Sequence, residues 1–219
     1  MDGSARAPLF RGFCLALKEQ AAAGLTEQAS RAARRAITHS MDCTSLLMLG
    51  RFIPPAAEDS LRVAVLGGPT LSQLTDLLRL FLAARGVEAR TLAGGYRQFR
   101  TELLGPSREL DAFQPHWVIL ALDVQDLSLT CQPGWRPEEM RDAAMAEADA
   151  LSRLWDRAHA AWGSAIIQNL FDAAPWPILG NHEFRHGVSR RIHAQAVNQG
   201  MREAAGPARV DFPDLPDLA

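Results

Sequence analysis

Lysine is almost missing from this chain: Lys18 stands alone against 22 arginines. A single lysine near the N-terminus cannot serve a phosphate-binding loop, which needs one at the end of a glycine-rich turn. Gly67-Gly68 lacks the later glycine of a dinucleotide fingerprint, so no cofactor is expected. Cysteine is scarce too. Cys14, Cys43 and Cys131 are odd in number and far apart, which excludes a disulfide framework and a Cys-x-x-Cys metal site. Neither sign of charge dominates: the net charge is −2 and the pI about 6.3. That excludes the electrostatic footprint of a nucleic-acid or anionic-membrane partner. The basic pairs Arg34-Arg35 and Arg190-Arg191 are isolated and read as solvated helix faces. No apolar run approaches the roughly 20 residues of a membrane span. The N-terminus shows no basic region, apolar stretch and small-residue cleavage site of a signal peptide, so the expected location is cytoplasmic. What is present is ordinary for a globular chain: 47% hydrophobic and 22% charged residues, enough apolar surface for a core.

Residues 1–58 read as a helical leader and 59–219 as an α/β domain. In the leader, one helical pattern ends at Gly24, a second opens at Thr26-Glu27, and a third runs from Ser45 to Ile53 until Pro54-Pro55 stops it. The period then changes. Val63-Ala64-Val65-Leu66 is a short continuous apolar run ending in Gly67-Gly68, the pattern of a strand covered on both faces. Leu71, Leu74, Leu77, Leu78, Phe81 and Leu82 follow at helical spacing, and Gly86 closes them. Further strands are expected over Val87–Leu92, Trp117–Leu122, Ala165–Gln168 and Arg209–Asp211, with helices from Glu138 to about Ala161 and from Ser189 to Ala205. This alternation demands right-handed crossovers and hence a doubly wound, mostly parallel sheet.

In such folds ligands sit at the carboxyl ends of the strands. Gly67–Thr70, Gly94–Tyr96, Asp123–Asp126 and Asn169–Glu183 converge there. Thr70 at a helix start, its hydroxyl beside free N–H groups, reads with Gln73 as a Thr-x-x-Gln capping box. Gly94-Gly95 after the second strand reads as a plain turn. His182-Glu183-Phe184-Arg185-His186 is formally a His-Glu-x-x-His zinc signature. Gly187 breaks the helix that motif requires, and no metal site is expected. Trp135, Trp155, Trp162 and Trp176 read as packing residues, and His39, His116 and His159 are given no role.

The stretch "RVAVLGGPTLSQLTDLLRLFLAARGVEARTLAGGYRQFRTELLGPSRELDAFQPHWVILALDVQDL", with "LGNHE" and "VDFPDLPDLA", resembles the N-terminal SGNH/GDSL-hydrolase-like domain of FkbH-like proteins of polyketide assembly lines. The resemblance implies an SGNH/flavodoxin-like three-layer sandwich. It puts Thr70 where SGNH enzymes keep a nucleophilic serine, Gly95 at an oxyanion N–H, and His182 at the catalytic histidine. Gly68, Asn181 and Glu183 then line the substrate. Two positions depart from the pattern. Asp123 stands where an asparagine donates to the oxyanion, and an ionised carboxylate cannot donate. Leu179 stands where an aspartate orients the histidine. Complete FkbH-like proteins add a haloacid-dehalogenase-type domain with an Asp-x-Asp motif that moves a glyceryl unit to an acyl carrier protein. Asp123-Val124-Gln125-Asp126 has the wrong spacing for it, so that chemistry is not carried over.

The expected function is therefore an SGNH-like domain that acts on or holds an acyl or glyceryl thioester of an acyl carrier protein, as esterase, thioesterase or acyltransferase. The catalytic set would be Thr70, His182 and Asp123. The alternatives are a non-catalytic docking or scaffold module and a zinc hydrolase built on His182 and His186.

Overall fold

The computed structural model describes residues 3–128, 134–172, 188–205 and 210–212, with side chains from Leu9 onward. The elements run α1 (Gly3–Ala22), α2 (Thr26–Ala36), α3 (Cys43–Gly50), β1 (Leu61–Gly67), α4 (Ser72–Ala84), β2 (Ala89–Ala93), α5 (Phe99–Leu104), α6 (Arg108–Phe113), β3 (Trp117–Ala121), α7 (Pro137–Trp162), β4 (Ala165–Gln168), α8 (Arg190–Ala205) and β5 (Val210–Asp211). The five strands form one sheet in the order β2-β1-β3-β4-β5. The β1–β3, β3–β4 and β4–β5 pairs are parallel, with Val63 opposite Trp117 and Gly67 opposite Ala121. β2 runs the same way: the Leu61 N–H donates to the Glu88 carbonyl and the Gly94 N–H to the Val65 carbonyl, so numbering rises together along both strands. Helices flank the sheet, and the α/β class expected from the alternation is the one observed. The strand order is the flavodoxin-like one, in which the chain reverses its direction of winding between β1 and β3.

The chain divides into two compact units, 1–62 with 72–91, and 63–71 with 92–219. The first gathers α1, α2, α3 and α4. Its core is Cys14, Leu17, Ala29, Ala33, Ile37, Leu46, Leu49, Ile53, Leu80 and Ala83. Small alanines on α2 allow the helices to approach closely. Gly50 does the same for α3, because a Cβ there would fall 2.9 Å from Leu80 Cδ2. Asp42 caps α3, its Oδ1 accepting from the Ser45 N–H at 2.9 Å, which satisfies one of the orphan donors of a helix start. Gly24 takes φ +81° in the three-residue turn between α1 and α2, a conformation that favours glycine.

The second unit has the larger core, including Ala64, Leu66, Phe99, Leu103, Leu110, Val118, Leu120, Leu151, Leu154, Trp155, Val197 and Met201. β1 is buried without a break from Val63 to Gly67, as its unbroken apolar run requires. α7 begins with Pro137 after a capping arrangement in which Glu139 accepts the Arg136 N–H. It ends at Gly163 in the left-handed region. Trp155 and Gln168 share a buried bond, Nε1 donating to Oε1 at 2.7 Å.

Two elements between β2 and β3 were not expected. α5 and α6 have six residues each, too short to show a helical period, and Gly105-Pro106 separates them. α6 is held by its ends: Ser107 Oγ accepts from the Leu110 N–H, and Gln114 closes it at φ +49°. Among the described residues no helix is long and apolar enough to cross a membrane.

Candidate functional site

The winding reverses between β1 and β3, and the carboxyl ends of the strands at such a point are the usual ligand position in open α/β sheets. Gly68 follows β1 there, and the loop 122–128 follows β3. Both lie in the second unit.

Asp126 joins the two. A Cβ on Gly68 would lie 2.0 Å from Asp126 Oδ1 and 2.2 Å from Oδ2, so the carboxylate fills the space that the glycine leaves. The Asp123 N–H donates to Asp126 Oδ2 at 2.9 Å, and the Asp126 N–H returns a bond to the Asp123 carbonyl. Burial pushes the Asp126 carboxyl up from its ordinary value, with Asp123 adding to the rise. The Asp123 N–H, Arg97 and Arg100 oppose it.

The Asp123 side chain turns to its own loop: Oδ1 accepts from the Gln125 N–H at 2.6 Å. This is an Asx turn, and it leaves the carboxylate exposed and locally engaged. The loop is fastened below by a half-buried ion pair. Arg100 on α5 pairs with Glu147 on α7, whose side chain is 1% exposed. Arg100 also donates to the Asp126 carbonyl at 3.2 Å, and Glu147 Oε1 accepts from the Ser128 N–H at the same distance. Asn169 after β4 fixes the start of the loop: its Oδ1 accepts from the Leu122 N–H and its Nδ2 donates to the Leu122 carbonyl.

The turn after β2 carries a second carboxylate. Glu102 on α5 accepts the Gly95 N–H on Oε1 at 2.8 Å. Its Oε2 is buried without a partner among the described residues, and a Cβ on Gly94 would lie 2.7 Å from it. Arg97, in the left-handed region at φ +55°, reaches across to Gln125 Oε1 at 3.0 Å, joining the turn after β2 to the loop after β3. Backbone in that region is uncommon for a residue with a Cβ and concentrates at functional sites.

Thr70 is exposed on the connection between β1 and α4. The helix begins at Ser72, too late for Thr70 to be its cap, and Thr70 makes no hydrogen bond among the described residues. The capping reading therefore has no bond behind it, while the hydroxyl remains accessible. Asn181, His182, Glu183, Leu179 and His186, and with them both the SGNH histidine and the zinc signature, lie outside the described residues, as does Cys131. Among the described residues no three His, Cys, Asp or Glu side chains gather as metal ligands would.

Sequence reasoning thus located Gly68, Gly95 and Asp123 at strand ends, included Asp126 and Asn169 in the strand-end segments without giving them a role, and missed Glu102, Arg100 and Glu147. One signal was readable. Glu147 falls on the stripe of Met140, Ala144, Ala148, Leu151 and Leu154 that α7 buries, where an acid demands a partner.

No family model matches the sequence, and no match is found among curated proteins. Among solved structures the chain is similar to the N-terminal part of the protein BF1531 from Bacteroides fragilis, containing a phosphatase domain and complexed with Mg. The identity is 16%, the TM-score 0.55, and the match covers 80% of this chain and 41% of that one. The chain therefore spans under half the length of that structure. It also matches TesA at 16% identity and TM-score 0.41, over 66% of this chain and 72% of TesA. The likeness to the BF1531 structure is one of fold.

Proposed function

We propose that the chain is an SGNH-like domain of the FkbH type, acting on or holding an acyl or glyceryl thioester presented by an acyl carrier protein in natural-product biosynthesis. The observation that carries this reading is the exposed Thr70 hydroxyl, without a partner among the described residues, on the connection that leaves β1 at the winding reversal. A thioester carbonyl brought to that hydroxyl lies at the strand ends, where ligands of open α/β sheets usually sit. In the catalytic form, Thr70 Oγ adds to the carbonyl carbon and its proton passes to His182. The carbon–sulfur bond breaks, the carrier thiol leaves with that proton, and water or a second acceptor takes the acyl group from Thr70. The Thr70 and Gly95 N–H groups serve the developing oxyanion. The Thr70 methyl hinders attack, so turnover is slow. Gly68, Asn181 and Glu183 line the substrate in this proposal.

A specific observation favours the holding form. The Gly95 N–H is engaged by Glu102, and the Asp123 carboxylate is engaged in its own turn. A site with one expected oxyanion donor already engaged, and an acceptor where another donor is expected, binds more readily than it turns over.

The test is a panel of short acyl and glyceryl thioesters, free and carrier-bound, with wild type, Thr70→Ala and His182→Ala, each with and without a chelator. Turnover lost in both variants and indifferent to chelator supports the enzyme. Carrier binding that survives Thr70→Ala without turnover supports the holding module. Activity lost to chelator and to His182→Ala alone refutes both in favour of zinc.

A further inference from the structure

In the first unit, α1 and α2 are joined by a three-residue turn and pack against each other as a helical hairpin. Their lengths differ. α1 has 20 residues and α2 has 11, roughly 30 and 16 Å. α2 therefore runs back along only the second half of α1, and the first turns of α1 continue past its end. A groove of about 620 Å³ opens here, lined by Phe13 of α1 and by Gln28, Arg31, Ala32, Arg35 and Ala36 of α2. The α2 residues stand at i, i+3, i+4, i+7 and i+8 and so form one continuous strip. Its floor is apolar and shallow (Ala32, Ala36, Phe13), and its rim is basic. Leu9, one turn before Phe13 on the same side of α1, is 76% exposed and extends the apolar line.

We propose that this groove docks an acidic amphipathic helix of a protein partner, a role separate from the strand-end site. Charge selects the occupant. Residues 1–62 and 72–91 hold eleven basic against eight acidic side chains, whereas the rest of the chain holds twelve against seventeen. Arg35 has no charged partner among the described residues, and Arg31 holds only the exposed Glu27 at 3.4 Å. Such a surface pair exchanges readily for another carboxylate. Shape then narrows the choice. Alanines at one-turn spacing let a second helix approach closely, and Phe13 and Leu9 reward an apolar ridge, which a nucleic-acid backbone does not offer. An apolar face read at i, i+3, i+4 and i+7 with flanking glutamates matches both features.

The test is fluorescence anisotropy on the full chain with a labelled helical peptide of about 18 residues, five turns, with leucines along one face and glutamates beside them. A scrambled peptide of equal composition is the first control. The amphipathic peptide is expected to bind at least about tenfold more tightly than the scrambled one, and Arg31→Glu/Arg35→Glu to weaken it by about tenfold or more. Ala36→Trp, which fills the floor and leaves the charges, is expected to do the same while circular dichroism stays unchanged. Equal binding of both peptides, no binding, or binding indifferent to both variants overturns the proposal. So does tighter binding of a single-stranded oligonucleotide or anionic vesicles through the same arginines, or a concentration-dependent dimer abolished by Ala36→Trp.

Discussion

Replacing Gly68 by alanine tests the packing of Asp126 directly. The backbone of Gly68 is not left-handed, so the substitution strains space rather than conformation. The added Cβ would fall 2.0 and 2.2 Å from the two carboxylate oxygens, where ordinary carbon–oxygen contacts begin at about 3.3 Å. The carboxylate must therefore withdraw by about 1 Å, which breaks the 2.9 Å bond from the Asp123 N–H. A hydrogen bond to a charged group contributes about 1.5–3 kcal/mol. Water reaches this half-exposed loop and returns part of that, leaving about 1 kcal/mol. Residual crowding adds about 1 kcal/mol more. The total of about 2 kcal/mol corresponds to a melting temperature lower by roughly 4–8 °C in a chain of this size.

The decisive assay is a double-mutant cycle in urea. In an Asp126→Ala background the new methyl meets no carboxylate, so Gly68→Ala should cost under about 0.5 kcal/mol, a coupling of about 1.5 kcal/mol. Gly67→Ala is the contrast. Its Cβ would lie 2.0 Å from the Ala121 carbonyl oxygen, backbone of the paired strand, and its cost of about 3 kcal/mol or more should be the same in both backgrounds. Equal costs of Gly68→Ala with and without Asp126 would refute the packing argument.

Glu147→Ala should destabilise by about 3 kcal/mol, because it leaves Arg100 and the Ser128 N–H without their buried acceptor; chemical denaturation reads this as a shifted midpoint at unchanged slope. Trp155→Phe should cost about 1–3 kcal/mol, since Gln168 Oε1 loses its donor in a buried setting, measured the same way. His193 is buried, with Nε2 unpartnered among the described residues, and burial holds its pKa below the ordinary 6.5 although Glu147 pulls it back up. The folded chain then binds fewer protons on this group than the unfolded one. Its stabilising contribution is fully present above pH 6.5 and is lost as pH falls from there through the lowered value. His193→Leu should flatten that part of a stability–pH profile, and an unchanged slope would show that another group titrates there. Asp126 acts in the opposite sense: its raised pKa makes its contribution fall as pH rises above the ordinary 3.8 of an aspartate, so Asp126→Asn should remove a decline from the acidic end of the same profile.

The parts of the fold legible in the sequence are those where a local period mirrors burial. β1 is an apolar run because it is covered on both faces, and α7 shows its stripe over seven turns. α5 and α6 were illegible because six residues span less than two turns, and the ends of α6 are set by Ser107 and Gln114 rather than by a pattern. The strand at 89–93 starts later than the apolar run suggests, because Val87 is exposed beside the left-handed Gly86. The same division runs through the site. Gly68, Gly95 and Asp123 announce themselves by following strands. Asp126 resembles any loop acid until β1 and β3 pair, and Arg100 finds Glu147 only 47 residues away. Partnerships of that range follow from topology, and no local spacing encodes them.

The Glu102–Gly95 bond sets a condition on any chemistry at the strand ends. The N–H of Gly95 already has a charged acceptor at 2.8 Å. Bonds to ionised acceptors are roughly twice as strong as those to neutral ones, so a ground-state thioester carbonyl is a poor competitor for that donor. A developing oxyanion is an equal one. Exchange of Glu102 for an oxyanion of equal strength gains no net stabilisation, so this N–H lowers a barrier only where Glu102 has first released it. The same exchange leaves a carboxylate whose other oxygen is already buried without a partner among the described residues, a further cost. The holding and catalytic forms of the proposed site thus differ in whether Glu102 gives up the Gly95 N–H.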